Sequence, residues 1–298
     1  MRYRQLGNSD MKISEISFGC MSLPKDLKNS TLLLHKAIDM GVNFFDTADL
    51  YERGYNEEIL GHAFKGKRTQ IFIASKVGNQ WRADGSTWDW NPTKKYIKSA
   101  IHKTLKRLQT DYLDLYQLHG GTIEDPIGES IEAFEELKAE GLIRHYGISS
   151  IRPNVIRAYV KHSNIISVMM QYSLLDRRAE ESCLDLLREN NIGVIVRGAV
   201  AKGLLINKTP TNYLDHDAKA VAFAQKAIKA LAKQNRTAAQ TAIQFCLGHP
   251  SVTTVATGIR NEKQLLENVN ATNVDALTIE EIKDLKNTVA FYLYKKHR

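Results

Sequence analysis

Four polar residues of four types stand at the end of apolar runs or just beyond them. Asp46 follows Asn43-Phe44-Phe45, Lys76 follows Ile71-Phe72-Ile73-Ala74-Ser75, and His119 follows Leu113-Asp114-Leu115-Tyr116-Gln117-Leu118. Tyr51 lies in the segment just after Asp46. A carboxylate beside a lysine keeps the lysine charged. A charged lysine beside a phenol stabilises phenolate and is expected to lower the tyrosine pKa from about 10 toward neutrality. Such a tyrosine can give and take a proton, and a histidine can donate a hydrogen bond that orients a substrate oxygen. Together these groups suit carbonyl reduction, in which an oxygen is protonated while hydride reaches carbon. No side chain supplies hydride, so a nicotinamide cofactor is implied. Each residue also has an ordinary reading: a surface lysine, a turn-capping aspartate, a loop histidine, a packing tyrosine. Four such groups at the ends of consecutive apolar runs favour the chemical reading.

The runs must be strands if they are to present these groups on one rim. Short β-rich segments recur along the chain: 16–19, 43–46, 71–75, 113–118, 145–149, 167–171, 194–197 and 254–257. Between them lie amphipathic helical patterns, such as Leu33, Leu34, Ala37 and Ile38 within 30–40, and Ile127, Ile131, Phe134 and Leu137 within 127–139. Gly41 and Gly141 follow these two patterns as stop signals. Strand and helix in alternation imply a parallel sheet, and this number of alternations closes a (β/α)8 TIM barrel with its active site at the carboxyl ends of the strands. The competing open, doubly wound sheet would carry Gly-x-Gly-x-x-Gly after its first strand, and this chain does not.

Three segments stand outside the alternation. Residues 3–13 read as a β-hairpin with a Gly7-Asn8-Ser9-Asp10 turn, placed at the barrel bottom. Residues 217–247 allow two helices, and Thr278 to Tyr294 reads as an extra C-terminal helix opened by a Thr278/Glu281 capping box. No Pro/Ser/Gly-rich linker divides residues 1–298, so one domain is expected. Trp81, Trp88 and Trp90 all fall in the stretch 78–91 after the third strand, which reads as a rim loop with one tryptophan on the pocket wall.

Composition narrows the class. The 298 residues are 43% hydrophobic and 25% charged, which excludes a disordered chain, a collagen or a disulfide scaffold. No apolar run nears the ~20 residues of a membrane-spanning helix, and the first residues carry no apolar core of a signal peptide. The cytoplasm is the expected compartment. Cys20, Cys183 and Cys246 are too dispersed for a zinc site and fit reduced thiols. The net charge of +8 is spread along the chain, with its densest run at Lys295-Lys296-His297-Arg298. Dispersed charge of this kind usually marks a solvated surface, and nucleic acid is expected well behind a phosphate-bearing cofactor. No membrane partner is expected, and the oligomeric state is not legible.

The segment Phe45-Asp46-Thr47-Ala48-Asp49-Leu50-Tyr51, continued by Asn56-Glu57-Glu58-Ile59-Leu60-Gly61, resembles the signature of the aldo-keto reductases. The segments ending in Lys76 and His119, the run Gly141-Leu142-Ile143-Arg144-His145-Tyr146-Gly147-Ile148-Ser149 and the pair Glu267-Asn268 are similar to the family's later motifs, in order along nearly the whole chain. The resemblance implies reduction of aldehydes or ketones by NADPH. Tyr51 would be the general acid, tuned by Lys76 and Asp46, with His119 orienting the carbonyl.

It also implies a cofactor wall. Gly19, Cys20 and Met21 would lie near the nicotinamide, and Ser149 would bind its carboxamide. Ser150 replaces the family's asparagine, and Met169 its glutamine; either Gln171, on the same strand face, stands in for the latter or the carboxamide loses a bond. Arg197 occupies the place of a tyrosine that stacks on the nicotinamide, a role open to a guanidinium plane. The stretch Gly198-Ala199-Val200-Ala201-Lys202-Gly203-Leu204-Leu205 resembles the family's cofactor strap, with Lys202 able to pair with phosphate. From Gly258, Arg260 and Gln264 lead into a helix whose N-terminus suits anions, and Arg260 could grip a 2′-phosphate, although the Lys-Ser pair of many members is missing. NADP(H) is the expected cofactor and NAD(H) the alternative; the substrate is a small carbonyl compound. Two other functions compete: a nucleotide-binding regulatory or redox-sensing subunit with little turnover, and a cofactor-independent barrel such as an isomerase using Lys76 or His119.

Overall fold

A computed structural model describes residues 1–232 and 235–298. The chain opens with an antiparallel hairpin, β1 (Tyr3–Gln5) and β2 (Lys12–Ser14). Then come the barrel strands β3 (Ile16–Gly19), β4 (Phe44–Asp46) and β5 (Phe72–Val77), a small antiparallel hairpin β6 (Asn79–Trp81) and β7 (Trp88–Trp90), and the barrel strands β8 (Leu113–Leu118), β9 (Ile143–Ser149), β10 (Ser167–Gln171), β11 (Gly193–Arg197) and β12 (Val252–Gly258). The eight barrel strands are parallel and close on themselves, with β12 returning to β3. Every barrel strand expected from the sequence is present, with ends shifted by two residues at most.

Helices α1 (Leu27–Asp39), α2 (Tyr55–Ala63), α3 (Lys94–Leu108), α4 (Ile127–Ala139), α5 (Pro153–His162), α6 (Cys183–Glu189), α7 (Ala218–Leu231), α8 (Ala238–Leu247) and α9 (Glu262–Val269) alternate with the strands, and α10 (Ile279–Asn287) follows. Their starts are written locally: Asp26, Thr93, Asp217, Thr237, Asn261 and Thr278 each cap the helix that follows through a side-chain oxygen.

Strand alternation sorts the core into two layers. Phe44, Ala74, Leu115, Met169 and Ile195 fill the barrel interior, where Leu6, Met11 and Ile13 of the N-terminal hairpin join them. The hairpin is thus the barrel's plug. Its turn needs Gly7 at φ +58°, where a Cβ would collide with the Ile166 carbonyl. The alternate residues face the helices: Phe45 stacks on Phe18 and meets Phe64 at a tilt, with ring centroids 5.9 and 4.7 Å away. Both faces of every barrel strand are covered, which is why the strands read as continuous apolar runs.

Two expectations fail. The stretch 78–91 is not an open loop, because Asn79, Gln80 and Trp81 pair with Trp90, Asp89 and Trp88. The C-terminal helix stops at Asn287 rather than reaching Tyr294. The Thr288 hydroxyl caps the Leu285 carbonyl at 2.6 Å, and the backbone beyond finds partners elsewhere: the Tyr294 N–H donates to Glu181, and the His297 carbonyl accepts from the Asn154 N–H. Residues 288–298 are therefore a tail laid over the carboxyl rim. Among the described residues, no helix is long and apolar enough to cross a membrane.

Candidate active site

Parallel pairing of β4 with β5 and of β5 with β8 puts Asp46, Lys76 and His119 on adjoining strand ends. Lys76 is completely buried. Its ammonium lies 2.7 and 2.8 Å from the two Asp46 oxygens, donates to the Thr47 carbonyl at 2.7 Å, and reaches the Tyr51 hydroxyl at 3.3 Å. Burial works against the lysine's charge, but Asp46 and the Tyr51 oxygen outweigh it and hold its pKa above the ordinary value. Burial raises Asp46 above the usual carboxylate range, with the ammonium pulling the other way.

Tyr51 sits in a tight turn, 51–54, in which Glu52, Arg53 and Gly54 all adopt left-handed backbone. The Trp81 indole donates to the Leu50 carbonyl at 3.3 Å and braces this turn from outside. The His119 ring meets the Tyr51 ring edge-on at 5.9 Å. One direction expected from the sequence is reversed: burial pushes the Tyr51 pKa above its ordinary value and outweighs the pull of Lys76. Burial, then the charges of Lys76 and Arg197, pull His119 down to about 3, so its ring is neutral at physiological pH.

Asp46, Tyr51 and His119 border a cavity of about 1280 Å³ on the carboxyl rim. Ser149, Arg197 and the loop after β11 form one wall, and Gly258 to Asn268 continue it beyond β12. The family model for the aldo/keto reductase family matches residues 15–290. The chain belongs to the aldo/keto reductase family. It is therefore an oxidoreductase that reduces small carbonyl compounds with a nicotinamide cofactor. The uncharacterized oxidoreductase YqkF of Bacillus subtilis (strain 168) is 50% identical over 307 aligned residues, covering all of both chains. The holo form of aldo-keto reductase AKR11C1 from Bacillus halodurans matches with a TM-score of 0.94 at 48% identity, over 100% of this chain and 99% of that one. Its apo form matches with a TM-score of 0.86 at 45% identity over the same shares.

Most residues expected on the reductase's cofactor wall border the cavity: Gly19, Met21, Ser149, Arg197, Gly198, Ala199, Lys202, Gly203, Gly258, Arg260, Gln264, Glu267 and Asn268. The Ser149 hydroxyl and the Asn268 amide have no partner among the described residues, and neither do the charged ends of Lys202, Lys208 and Arg260. Gly198 and Gly203 turn the strap through φ +76° and +92°.

Three expected wall residues lie elsewhere. Cys20 is fully buried beneath the rim, its thiol turned back toward the Phe18 carbonyl at 3.5 Å, and burial pushes its pKa well up. Gln171 is held behind the wall: its amide donates to Asp176 at 2.8 Å and Tyr213 at 3.1 Å, and its oxygen accepts from Arg197 at 3.0 Å. It braces Arg197 rather than facing the cavity, while Met169 borders the cavity instead. Leu204 is buried in the core, its carbonyl held by Gln225 at 2.7 Å. Among the described residues, no tryptophan borders the cavity. Trp81 backs the Tyr51 turn, Trp90 hydrogen-bonds Asp125 at 3.0 Å, and Trp88 is exposed.

The sequence reading missed the wall formed by Leu293 to His297. The available signal was the run of basic residues at the end of the chain. Lys295 pairs with Asp215 at 2.6 Å, Arg298 pairs with Glu181, and the Arg178 guanidinium lies 4.8 Å from the Tyr294 ring centre. Arg152, Arg178 and Lys208 were also missed as cavity residues.

Proposed function

We propose that this reductase prefers NADPH and that Asp46, Tyr51, Lys76 and His119 are its catalytic residues. The observation that carries the reading is the buried Lys76 ammonium bridging the Asp46 carboxylate and the Tyr51 hydroxyl beside the cavity. The cavity suits the cofactor in size, in its glycine-turned strap and in the cations it leaves unpaired. Arg260 would take the 2′-phosphate, Lys202 and Lys208 the diphosphate, Ser149 the carboxamide and Asn268 the adenine. Arg197, steadied by Gln171, would lie against the nicotinamide ring.

When bound, the nicotinamide supplies hydride to the carbonyl carbon. The raised pKa keeps Tyr51 a phenol at neutral pH, and so loaded for donation. Neutral His119 donates a hydrogen bond to the carbonyl oxygen and adds no charge of its own. As the oxygen takes the Tyr51 proton, the ammonium of Lys76, 3.3 Å away, stabilises the phenolate left behind. Asp46 keeps that ammonium charged and aimed. The test is to follow nicotinamide absorbance with NADPH or NADH over a panel of aldehydes and ketones. Carbonyl-dependent oxidation, faster with NADPH at limiting cofactor, is expected. Tight NADPH binding without oxidation by any carbonyl overturns the catalytic assignment, and equal use of NADH overturns the cofactor preference.

A further inference from the structure

Behind the Tyr51 turn lies a second polar cluster that faces away from the cavity. Asp49, two residues before Tyr51, is buried there. Its N–H reaches the Lys76 carbonyl at 3.4 Å, and its Oδ2 accepts from the Tyr96 hydroxyl of α3 at a long 3.5 Å. Its Oδ1 is buried with no hydrogen-bond partner. Its charged neighbours are Glu57 on α2 and Arg107 on α3; its other titratable neighbours are Tyr96 on α3 and Tyr116 on β8. Arg107 gives its hydrogen bonds to other groups: its Nε donates to Glu57 at 2.6 Å, and its second nitrogen to Thr104 at 3.2 Å, so its charge favours the Asp49 carboxylate only from a distance, with no ion pair to it. Glu57 also accepts from Ser75, the strand residue next to Lys76. One cation therefore serves two buried carboxyls, and its bond goes to Glu57. A buried carboxylate with no ion pair of its own and with one oxygen unpartnered is costly, and such groups take up a proton instead.

We propose that Asp49 is a positioning residue that works in its protonated form, holding the segment that carries Tyr51 against α3 and the Lys76 strand. This rests on Tyr51 being the proton donor. Ionising Asp49 puts a second negative charge beside Glu57 where the one neighbouring cation, Arg107, is bonded to Glu57, and the segment that must yield is the one ending in Tyr51. Burial and the Glu57 charge push the Asp49 acid up to about 8. Three of the groups proposed to be catalytic lie away from that window: His119 is far lower, and Tyr51 and Lys76 are both raised above their already alkaline ordinary values. Linkage gives the matching sign for stability. An acid raised in the folded state binds more protons folded than unfolded, so its contribution falls as pH climbs from about 4 through 8.

The experiment is the pH dependence of kcat, paired with a pH titration of tryptophan emission in the cofactor-free protein, because the Trp81 indole touches the Leu50 carbonyl between Asp49 and Tyr51. In the unmodified protein kcat falls about tenfold from pH 7 to pH 9, as one group titrating near 8 requires, and emission changes over the same range. Asp49→Asn, a mimic of the protonated acid, turns over at pH 7, loses both transitions and melts with less dependence on pH. Tyr96→Phe removes a hydrogen bond that favours the carboxylate and moves both transitions to higher pH. The same falling limb in Asp49→Asn, or a folded Asp49→Asn without turnover at pH 7, overturns the proposal. If the asparagine variant does not fold, unchanged transitions in Tyr96→Phe overturn it. A chain that never turns over defeats the catalytic reading instead and leaves the emission titration to decide the role of Asp49.

Discussion

The half of the cavity built on β4, β5 and β8 and the half built on the loops after β11 and β12 hold their charges in opposite ways. On the first, Lys76 is fully buried and its ammonium is spoken for by Asp46, Thr47 and Tyr51. On the second, Lys202, Lys208 and Arg260 are exposed and reach no partner among the described residues. A buried charge must be satisfied within the fold, or the fold is destabilised. An exposed one can wait in water for a ligand's charge. The first half is therefore complete before any ligand arrives, and the second is completed by one. The largest effects of mutation belong to the first half and should appear in turnover; those of the second should appear in binding.

Tyr51→Phe is the sharpest way to break that contrast. The ring keeps its edge contact with His119 and loses only the hydroxyl beside Lys76. Turnover should drop by about two to four orders of magnitude, the usual worth of a positioned general acid. The dissociation constant for NADPH should stay within about twofold, because the contacts proposed for the phosphates lie across the cavity. Near-normal turnover would remove Tyr51 from the chemistry. A parallel loss of cofactor affinity would show that the two halves are not separate.

The same division explains what the sequence could reveal. Asp46, Lys76 and His119 were legible because each closes an apolar strand, and strand ends in a parallel barrel must share a rim. The hairpin plug was legible from its Gly7-Asn8-Ser9-Asp10 turn. Gln171 was misplaced because its partners Asp176 and Tyr213 are brought to it by loops, the latter from 42 positions away. Cys20 was misplaced because a short turn directs its thiol back into the barrel wall. The direction of the Tyr51 shift depends on how much burial outweighs one lysine, and spacing along a chain does not encode that balance. The tail was missed for a related reason. Its anchors, Asn154, Glu181 and Asp215, are distant in sequence and make no pattern with it.

Arg260→Ala probes the second half directly. Arg260 has no ionic partner among the described residues, so its loss leaves no buried charge behind and stability should hardly change. A charged hydrogen bond to phosphate is worth about 1.5–3 kcal/mol, so NADPH should bind roughly 10- to 100-fold more weakly. NADH, which lacks the 2′-phosphate, should change by less than about twofold. Equal weakening of both would assign Arg260 to the shared diphosphate or to the wall itself.

The smallest effect is expected where both halves give way to the chain's own end. Deleting Lys295 to Arg298 removes the pairs to Asp215 and Glu181 and part of the cavity wall, but keeps buried Tyr294. Lys295 and Arg298 are mostly exposed, and such pairs contribute about 0–1 kcal/mol each, so the melting temperature should move by only a few degrees. The anchors of the tail lie beyond β9, β10 and β11, on the side of Ser149 and Arg197, whereas Arg260 and Gln264 lie beyond β12. The deletion should therefore raise KM for the carbonyl substrate about two- to tenfold, as lost wall contact does when it serves ground and transition states alike. kcat and NADPH affinity should stay within about twofold. A fall in NADPH affinity as large as the rise in KM would mean that the tail closes over the cofactor, and the boundary between prebuilt and ligand-completed regions would then run through the tail instead of beside it.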